Sequence, residues 1–144
     1  MTSLQMPKVQ NSIISNKDSI VSEIRKIVKE ENVLSHKDEI RPYETDALTA
    51  YRQTPLLVVL PETINQVSKI LKYCNENKIK VVPRGAGTGL TGGSLPLKDS
   101  ILLSMGKFNK ILEVDYENKC VVAQPCVTNL SITHAVQDNN FYYA

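Results

Sequence analysis

The glycines of this 144-residue chain are concentrated in one segment, residues 81–94 (VVPRGAGTGLTGGS), which holds five of the six. Glycine has no Cβ and adopts positive φ readily, so a glycine-rich segment can turn several backbone N–H groups toward one ligand. Such N–H groups favour an anion, and phosphate is the anion we expect. Because an ordinary turn needs only one or two glycines, the run predicts a phosphate-binding loop.

Two known phosphate-binding motifs can be compared with this run. Residues 87–92 (GTGLTG) match the G-x-G-x-x-G pattern of a Rossmann dinucleotide site and follow an apolar stretch. In that site a helix begins at the third glycine and its N-terminus holds the pyrophosphate. Gly93 and Pro96 fall within what would be the first helical turn, which disfavours this alternative. A Walker A loop is less favoured still, because no Lys-Ser or Lys-Thr pair closes the glycine spacings. The loop is therefore expected to hold its ligand with its own backbone.

Apolar patterns predict a strand, a helix and a second strand leading into the loop. Residues 56–60 (LLVVL) are continuously apolar between two prolines, which is typical of a strand buried on both faces. Thr63 and Gln66 fit a helix-capping box. Apolar residues at helical spacing follow, namely Ile64, Val67, Ile70, Leu71 and Cys74. Residues 79–82 form the second strand, so the unit is βαβ with parallel strands and a right-handed crossover.

The pattern changes after the loop. Residues 100–105 predict a third apolar strand, and residues 112–115 and 121–124 alternate as in an antiparallel hairpin with one polar face. A short helix is expected at about 129–137. The chain is thus predicted to be α+β, with a small parallel βαβ subdomain followed by the start of an antiparallel-sheet subdomain.

The residues before the βαβ unit divide into three parts. Residues 1–18 show no period and are expected to be a flexible lead, so that the folded domain would span 19–144. Residues 20–28 carry an apolar stripe at helical spacing, which predicts a surface helix. Residues 36–50 are polar and irregular, and Arg41 is expected to be extended because it precedes Pro42.

Composition excludes several classes of function. A formal net charge of +2 argues against a nucleic-acid binder, and no window approaches the length of a membrane span or a secretory signal. The three cysteines lack CxxC spacing, which suits free thiols in the cytoplasm. No cluster has metal-ligand spacing. His36 and His134 lie in polar segments and are expected to be solvated or locally bonded, so the catalytic residues stay unknown.

Three separated segments, 83–93 (PRGAGTGLTGG), 108–115 (FNKILEVD) and 124–130 (QPCVTNL), together resemble the FAD-binding domain of the vanillyl-alcohol oxidase / para-cresol methylhydroxylase (PCMH) flavoprotein superfamily. Within it, the chain is similar to the FAD-linked subunit of glycolate oxidase and to the related D-lactate dehydrogenases. Residues 45–47, 51–53 and 61–63 extend this likeness, which runs from about residue 20 to the end.

The resemblance implies FAD as the cofactor and the glycine loop as its site. Backbone N–H groups of residues 84–88 would bind the pyrophosphate, and Gly92, Gly93 and Ser94 would lie near the flavin or its ribityl chain. The implied cofactor-binding residues are Pro83, Arg84, Gly85, Ala86, Gly87, Thr88, Gly89, Gly92, Gly93 and Ser94. Arg84 is either a solvated surface residue or close to the ligand. Its position between a buried strand and the glycine loop favours the second alternative. Thr88 stands where relatives with covalent FAD have histidine, so attachment would be non-covalent.

The sequence departs from the family pattern at two places. Cys126 replaces a family glycine that approaches the cofactor, where its thiol either hinders binding or is accommodated. The chain also ends where the family continues into the rest of the flavin domain and a substrate-binding cap. The expected function is therefore FAD binding as part of a 2-hydroxy-acid oxidoreductase that moves the substrate Cα hydride to the flavin, with a companion chain supplying the rest. The alternative is a truncated, non-catalytic remnant that acts at most as an interaction module.

Overall fold

A computed structural model describes residues 7–144 of the chain. The helices are α1 (Asn11–Ser15), α2 (Lys17–Arg25), α3 (Lys37–Ile40), α4 (Ile64–Glu76) and α5 (Asn129–Val136). The strands are β1 (Val33–Leu34), β2 (Leu57–Val59), β3 (Lys80–Arg84), β4 (Ser100–Ser104), β5 (Ile111–Asp115) and β6 (Cys120–Ala123). Short 3-10 turns occupy Glu30–Asn32, Arg41–Tyr43 and Gln137–Asn139.

The larger sheet has four strands in the order β1-β2-β4-β3. Strands β2 and β3 are both parallel to β4, with Val58 and Val82 each opposite Leu102, while β1 pairs antiparallel with β2. The predicted parallel strands are confirmed. They are not neighbours, however, because β4 lies between them.

The two central strands are buried on both faces, as the unbroken apolar runs predict. One face of β2 and β4 packs with α2 and α4 in a cluster that includes Leu57, Val59, Ile101 and Leu103. The opposite face packs Val58 and Leu102 against Ile40 of α3. Each such side chain contributes on the order of 2 kcal/mol when fully removed from water, so these strands form a rigid base for the loop that joins β3 to β4.

Helix α4 begins where the capping box predicts. The Thr63 hydroxyl accepts from the Gln66 backbone N–H at 3.2 Å, and the Gln66 side-chain oxygen accepts from the Thr63 N–H at 3.2 Å. These bonds satisfy one of the four helix N–H groups that lack intrahelical partners, that of Gln66, and also the N–H of the N-cap residue Thr63. The capping box therefore fixes the residue at which α4 begins, and with it the position from which the chain enters β3.

The second sheet is the predicted antiparallel hairpin of β5 and β6, in which Val114 lies opposite Val121. Lys119 has φ of 55° in the connecting turn. Thr128 caps α5, its hydroxyl accepting from the Ser131 N–H at 3.1 Å. The hairpin and the short helix that follows it both match the sequence prediction.

Two segments expected to lack regular structure contain helices. Of the predicted flexible lead, residues 1–6 lie outside the described residues, whereas residues 11–15 form α1 and α2 begins at Lys17. The Gln10 backbone N–H donates to the buried Asp99 carboxylate at 2.8 Å, a partner so distant in sequence that no local pattern reveals it. Residues 36–50 likewise include α3, because Glu39 accepts from the His36 N–H and Ile40 is buried in the core. The expectation that Arg41 is extended is wrong: its φ of -56° and ψ of -40° are helical, and it begins a 3-10 turn with Pro42 in the first turn.

The ion pair between Lys80 and Asp99 fastens this N-terminal segment to the sheet. Lys80 Nζ lies 2.8 Å from Asp99 Oδ2, and the Asp99 side chain is 1% exposed. Burial opposes ionisation of Asp99, but hydrogen bonds from Lys80 and the Gln10 N–H outweigh it, so its pKa lies below the usual value. Because the folded pKa is the lower one, the stabilisation is present above the unfolded pKa of about 3.9 and is lost as pH falls through the folded pKa.

Lys80→Met is expected to lower the free energy of unfolding by about 3 kcal/mol at pH 7, because it leaves a buried carboxylate without its cation. Urea unfolding measures the change. The difference from the wild-type chain should shrink as pH falls through the lowered folded pKa of Asp99. The matched control is Lys72→Met, which removes an exposed helix pair with Glu76 and should cost at most about 0.5 kcal/mol. Equal losses in the two variants would contradict the role given to the buried pair.

Candidate functional site

The glycine loop begins where β3 ends, at the carboxyl edge of the parallel strands. Arg84 pairs with Ser104 at the ends of β3 and β4, and the Met105 N–H donates to the Arg84 carbonyl at 2.8 Å. Open parallel sheets bind ligands at this edge. Residues 85–99 contain no helix, so the Rossmann alternative, which needs one at the third glycine, is excluded.

The backbone N–H groups of residues 85–89 are not used by the fold. Within residues 7–144, no backbone carbonyl accepts a hydrogen bond from any of these five groups. Gly87 has φ of 72°, while Gly85, Ala86, Thr88 and Gly89 are exposed. Successive free N–H groups around a residue of positive φ form a concave anion-binding nest. We call residues 85–89 the nest.

The rest of the predicted site residues flank the nest. Gly92 also has positive φ, 75°, and its carbonyl accepts from the Leu95 N–H at 3.1 Å, which turns the chain. Gly93 is exposed and Ser94 half-buried, and Pro83 is exposed on β3. All ten predicted residues therefore lie on one continuous segment, with an accessible backbone in its first half.

Arg84 is neither solvated nor directed away from the loop. Its Nη1 donates to the Thr45 carbonyl at 2.6 Å and to the Tyr43 carbonyl at 3.3 Å. Its Cζ lies 5.7 Å from the centroid of the Tyr43 ring, within cation–π range. The guanidinium also covers Gly87, where a Cβ would overlap its nitrogen atoms. Arg84 thus joins the nest to a distant segment.

That distant segment, residues 43–48, contacts the nest and is absent from the predicted set of site residues. The Ala47 N–H donates to the Gly87 carbonyl at 2.9 Å, and the Leu48 side chain lies 4.0 Å from the position of a Cβ on Gly92. Asp46 is 4% exposed, and its Oδ1 accepts from the Leu48 N–H at 3.0 Å. The only sequence signal for this segment was the likeness at 45–47.

Cys126 lies beside the nest. Its Sγ is 3.7 Å from the position of a Cβ on Gly85, an ordinary van der Waals separation, and its N–H donates to the Phe108 carbonyl at 2.9 Å. Burial raises the pKa of the Cys126 thiol, so the neutral form is favoured at pH 7. The segment that departs from the family pattern is therefore adjacent to the nest, and the thiol fits there without overlap.

The histidines take no part in this arrangement. His36 is exposed at the start of α3, and His134 is exposed on α5. Among residues 7–144, no group of three His, Cys, Asp or Glu side chains is placed to hold a metal ion, and no helix is long and apolar enough to cross a bilayer. A cavity of about 320 Å³ lies between the hairpin, α5 and residues 141–143, and none of its lining residues belongs to the nest.

Comparison with known proteins identifies the family of the chain. A family described as FAD binding domain matches residues 55–144, more than half of the chain and all of the nest. Glycolate oxidase subunit GlcD of Escherichia coli K12 is 45% identical over 129 residues, covering 90% of this chain and 26% of the relative. The mitochondrial D-2-hydroxyglutarate dehydrogenase of Arabidopsis thaliana is 36% identical over 116 residues, covering 80% of this chain and 21% of the relative.

Solved structures share the fold. A p-cresol methylhydroxylase with substrate bound matches with a TM-score of 0.75 and 28% identity, over 92% of this chain and 26% of that one. The 4-ethylphenol oxidase of Gulosibacter chungangensis matches with a TM-score of 0.78 and 23% identity, over 94% of this chain and 27% of that one. These likenesses confirm the α+β fold of PCMH type. The chain spans about a quarter of the length of the relatives it matches.

Proposed function

The chain belongs to the family of FAD binding domains, and we propose that it binds FAD non-covalently through the nest. In this proposal the backbone N–H groups of the nest, residues 85–89, hold the pyrophosphate. This is one residue further along than the range 84–88 implied by the resemblance, because Arg84 belongs to β3. Gly92, Gly93 and Ser94 lie along the flavin or its ribityl chain. Thr88, which offers no imidazole for covalent attachment, supports non-covalent binding.

The residues present fit such a cofactor. Pyrophosphate carries negative charge and needs several hydrogen-bond donors, and the nest presents five N–H groups that no backbone carbonyl in residues 7–144 engages. Gly85 and Gly89 are exposed, so a phosphate can approach the backbone without meeting a Cβ. This unused row of donors is the observation that carries the proposal.

We propose further that the chain serves the oxidation of a 2-hydroxy acid, because both named relatives are enzymes of such substrates. FAD, when bound, supplies a two-electron acceptor for the hydride that leaves the substrate Cα. The reaction also needs a base for the hydroxyl proton and cations for the substrate carboxylate. His36 and His134 are exposed and distant in sequence from the nest, and the chain covers about a quarter of its relatives' length, so in this proposal the base and the cations come from further polypeptide. The name of the Escherichia coli relative, a subunit, supports a companion chain.

A titration tests FAD binding. Purified protein should quench the fluorescence of added FAD to a stoichiometric end point, and the protein should stay yellow through desalting. Acid precipitation should then release all the flavin and leave a colourless pellet, as non-covalent binding requires. A colourless protein with no quenching, alone or with the companion polypeptide, would overturn the proposal.

A second candidate is a binding module without turnover. Apolar side chains of the hairpin and α5 are exposed, including Leu112 at 61% and Leu130 at 63%. Exposed apolar side chains grouped on neighbouring elements favour association with another polypeptide. If the chain forms a stable complex with the companion polypeptide while neither binds FAD, this candidate is preferred.

A further inference from the structure

The side chain of Arg84 makes two hydrogen bonds and one aromatic contact, all with Tyr43 and Thr45. Its Nη1 donates to the carbonyls of Tyr43 and Thr45, and its guanidinium stacks at 5.7 Å on the Tyr43 ring. The guanidinium also covers the Cα of Gly87 so closely that any side chain there would overlap it. One planar cation therefore contacts both the nest and the segment 43–48.

The segment 43–48 and the nest are joined at further points beyond Arg84. The Ala47 N–H donates to the Gly87 carbonyl at 2.9 Å, and Leu48 lies against Gly92. The Asp46 side chain is buried, which also fixes this segment in place. Gly87 is therefore held by two contacts, the Arg84 guanidinium beside its Cα and the hydrogen bond from Ala47 to its carbonyl.

A loop with this many glycines needs such support. Glycine loses more conformational freedom on ordering than any other residue, so an unsupported nest would have to order its backbone each time it bound a ligand. A nest that is already ordered binds its ligand more tightly, because the cost of ordering is met during folding.

We propose that Arg84 is a positioning residue that orders the nest by binding the segment 43–48, rather than a direct ligand of the cofactor phosphates. The segment 43–48 is then the second wall of the cofactor site. The effect of Arg84 on the affinity for FAD rests on the proposed function. The ordering itself exists without ligand and can be measured separately.

The first measurement is hydrogen exchange of the ligand-free chain. Arg84→Met retains most of the aliphatic stem but removes all five N–H donors. It should raise the exchange rate of the Ala47 amide, which donates to Gly87, by about tenfold or more, while amides of β4 keep their wild-type rates. The matched control is Arg52→Met, which removes a cation that pairs with Glu44 on the surface of the same region and should leave the Ala47 rate unchanged. An unchanged Ala47 rate in Arg84→Met would overturn the proposal even if FAD binds normally.

The second measurement is the salt dependence of FAD binding. Arg84→Met should raise the Kd for FAD about tenfold without altering the slope of log Kd against log salt concentration, because the lost cation does not contact phosphate. Arg84→Lys, which keeps the charge but not the planar fork, should not restore the affinity. A reduced salt slope in Arg84→Met, or full rescue by Arg84→Lys, would make Arg84 a phosphate ligand instead. If the wild-type chain binds no FAD at all, the proposed function fails, and the exchange measurement still decides the ordering role.

Discussion

Gly87→Ala is expected to raise the Kd for FAD at least a hundredfold. The residue has φ of 72°, a conformation that costs an L-residue about 1–2 kcal/mol, and the new methyl group would overlap the Arg84 guanidinium. Either Arg84 leaves the carbonyls of Tyr43 and Thr45, or the backbone of the nest moves. Both outcomes displace the N–H groups that the proposal assigns to the pyrophosphate.

Equilibrium titration with FAD measures the effect, and thermal unfolding of the ligand-free chain gives its structural cost. We expect a loss of about 1–3 kcal/mol in the free energy of unfolding, since strained backbone and a displaced side chain both contribute. Gly106→Ala is the matched control. A Cβ at Gly106 would lie 3.6 Å from the Ser104 hydroxyl, an ordinary contact, so its Kd should stay within about twofold of wild type. Wild-type affinity in Gly87→Ala would contradict the assignment of the nest.

Gly89→Val should separate cofactor binding from stability. No atom lies within 4 Å of the position of a Cβ on Gly89, and its φ is not positive, so the ligand-free chain accommodates a side chain there. The free energy of unfolding should change by no more than about 0.5 kcal/mol. A valine would nevertheless project from the surface that the cofactor must approach, and the Kd for FAD should rise about a hundredfold, equivalent to roughly 2.7 kcal/mol.

The control for this variant is Thr91→Val, which changes an exposed residue two positions along without adding volume. It should keep wild-type affinity and stability. If Gly89→Val binds FAD as well as the wild-type chain does, the cofactor does not pass over this part of the loop. If the variant instead fails to fold, a side chain at position 89 does contact the rest of the chain, contrary to the open space around Gly89.

Much of the fold could be predicted because its signals are local. The apolar run of β2, the Thr63 capping box of α4 and the alternation of β5 and β6 each lie within a few residues of one another. The order of the strands is different. Burial of a strand on both faces indicates that it is central but does not identify its neighbours, so the position of β4 between β2 and β3 was not predicted. The strand β1 has two residues, too few to show a period.

The candidate site was predicted only in part, because its local residues carry a sequence signal and its long-range contacts do not. The number of glycines predicts a phosphate-binding loop. It does not distinguish Gly87, whose Cα is covered by a guanidinium, from Gly89, which faces open space. The partners of Arg84 stand about 40 residues earlier in the chain and are backbone carbonyls, which any residue type can supply. Apart from the likeness at residues 45–47, no sequence pattern therefore indicates that the segment 43–48 contacts the nest.

The most direct test of the central claim compares three ligands on the unmodified chain: FAD, ADP and riboflavin. Amide chemical shifts of residues 85–89 report contact with the nest, and titration gives each Kd. We predict that FAD and ADP, which carry the pyrophosphate, shift these amides, while riboflavin, which has the flavin but no phosphate, leaves them unchanged and binds at least a hundredfold more weakly than FAD. Riboflavin binding as tightly as FAD, or FAD binding without any shift in residues 85–89, would contradict the claim that the nest holds the cofactor phosphates.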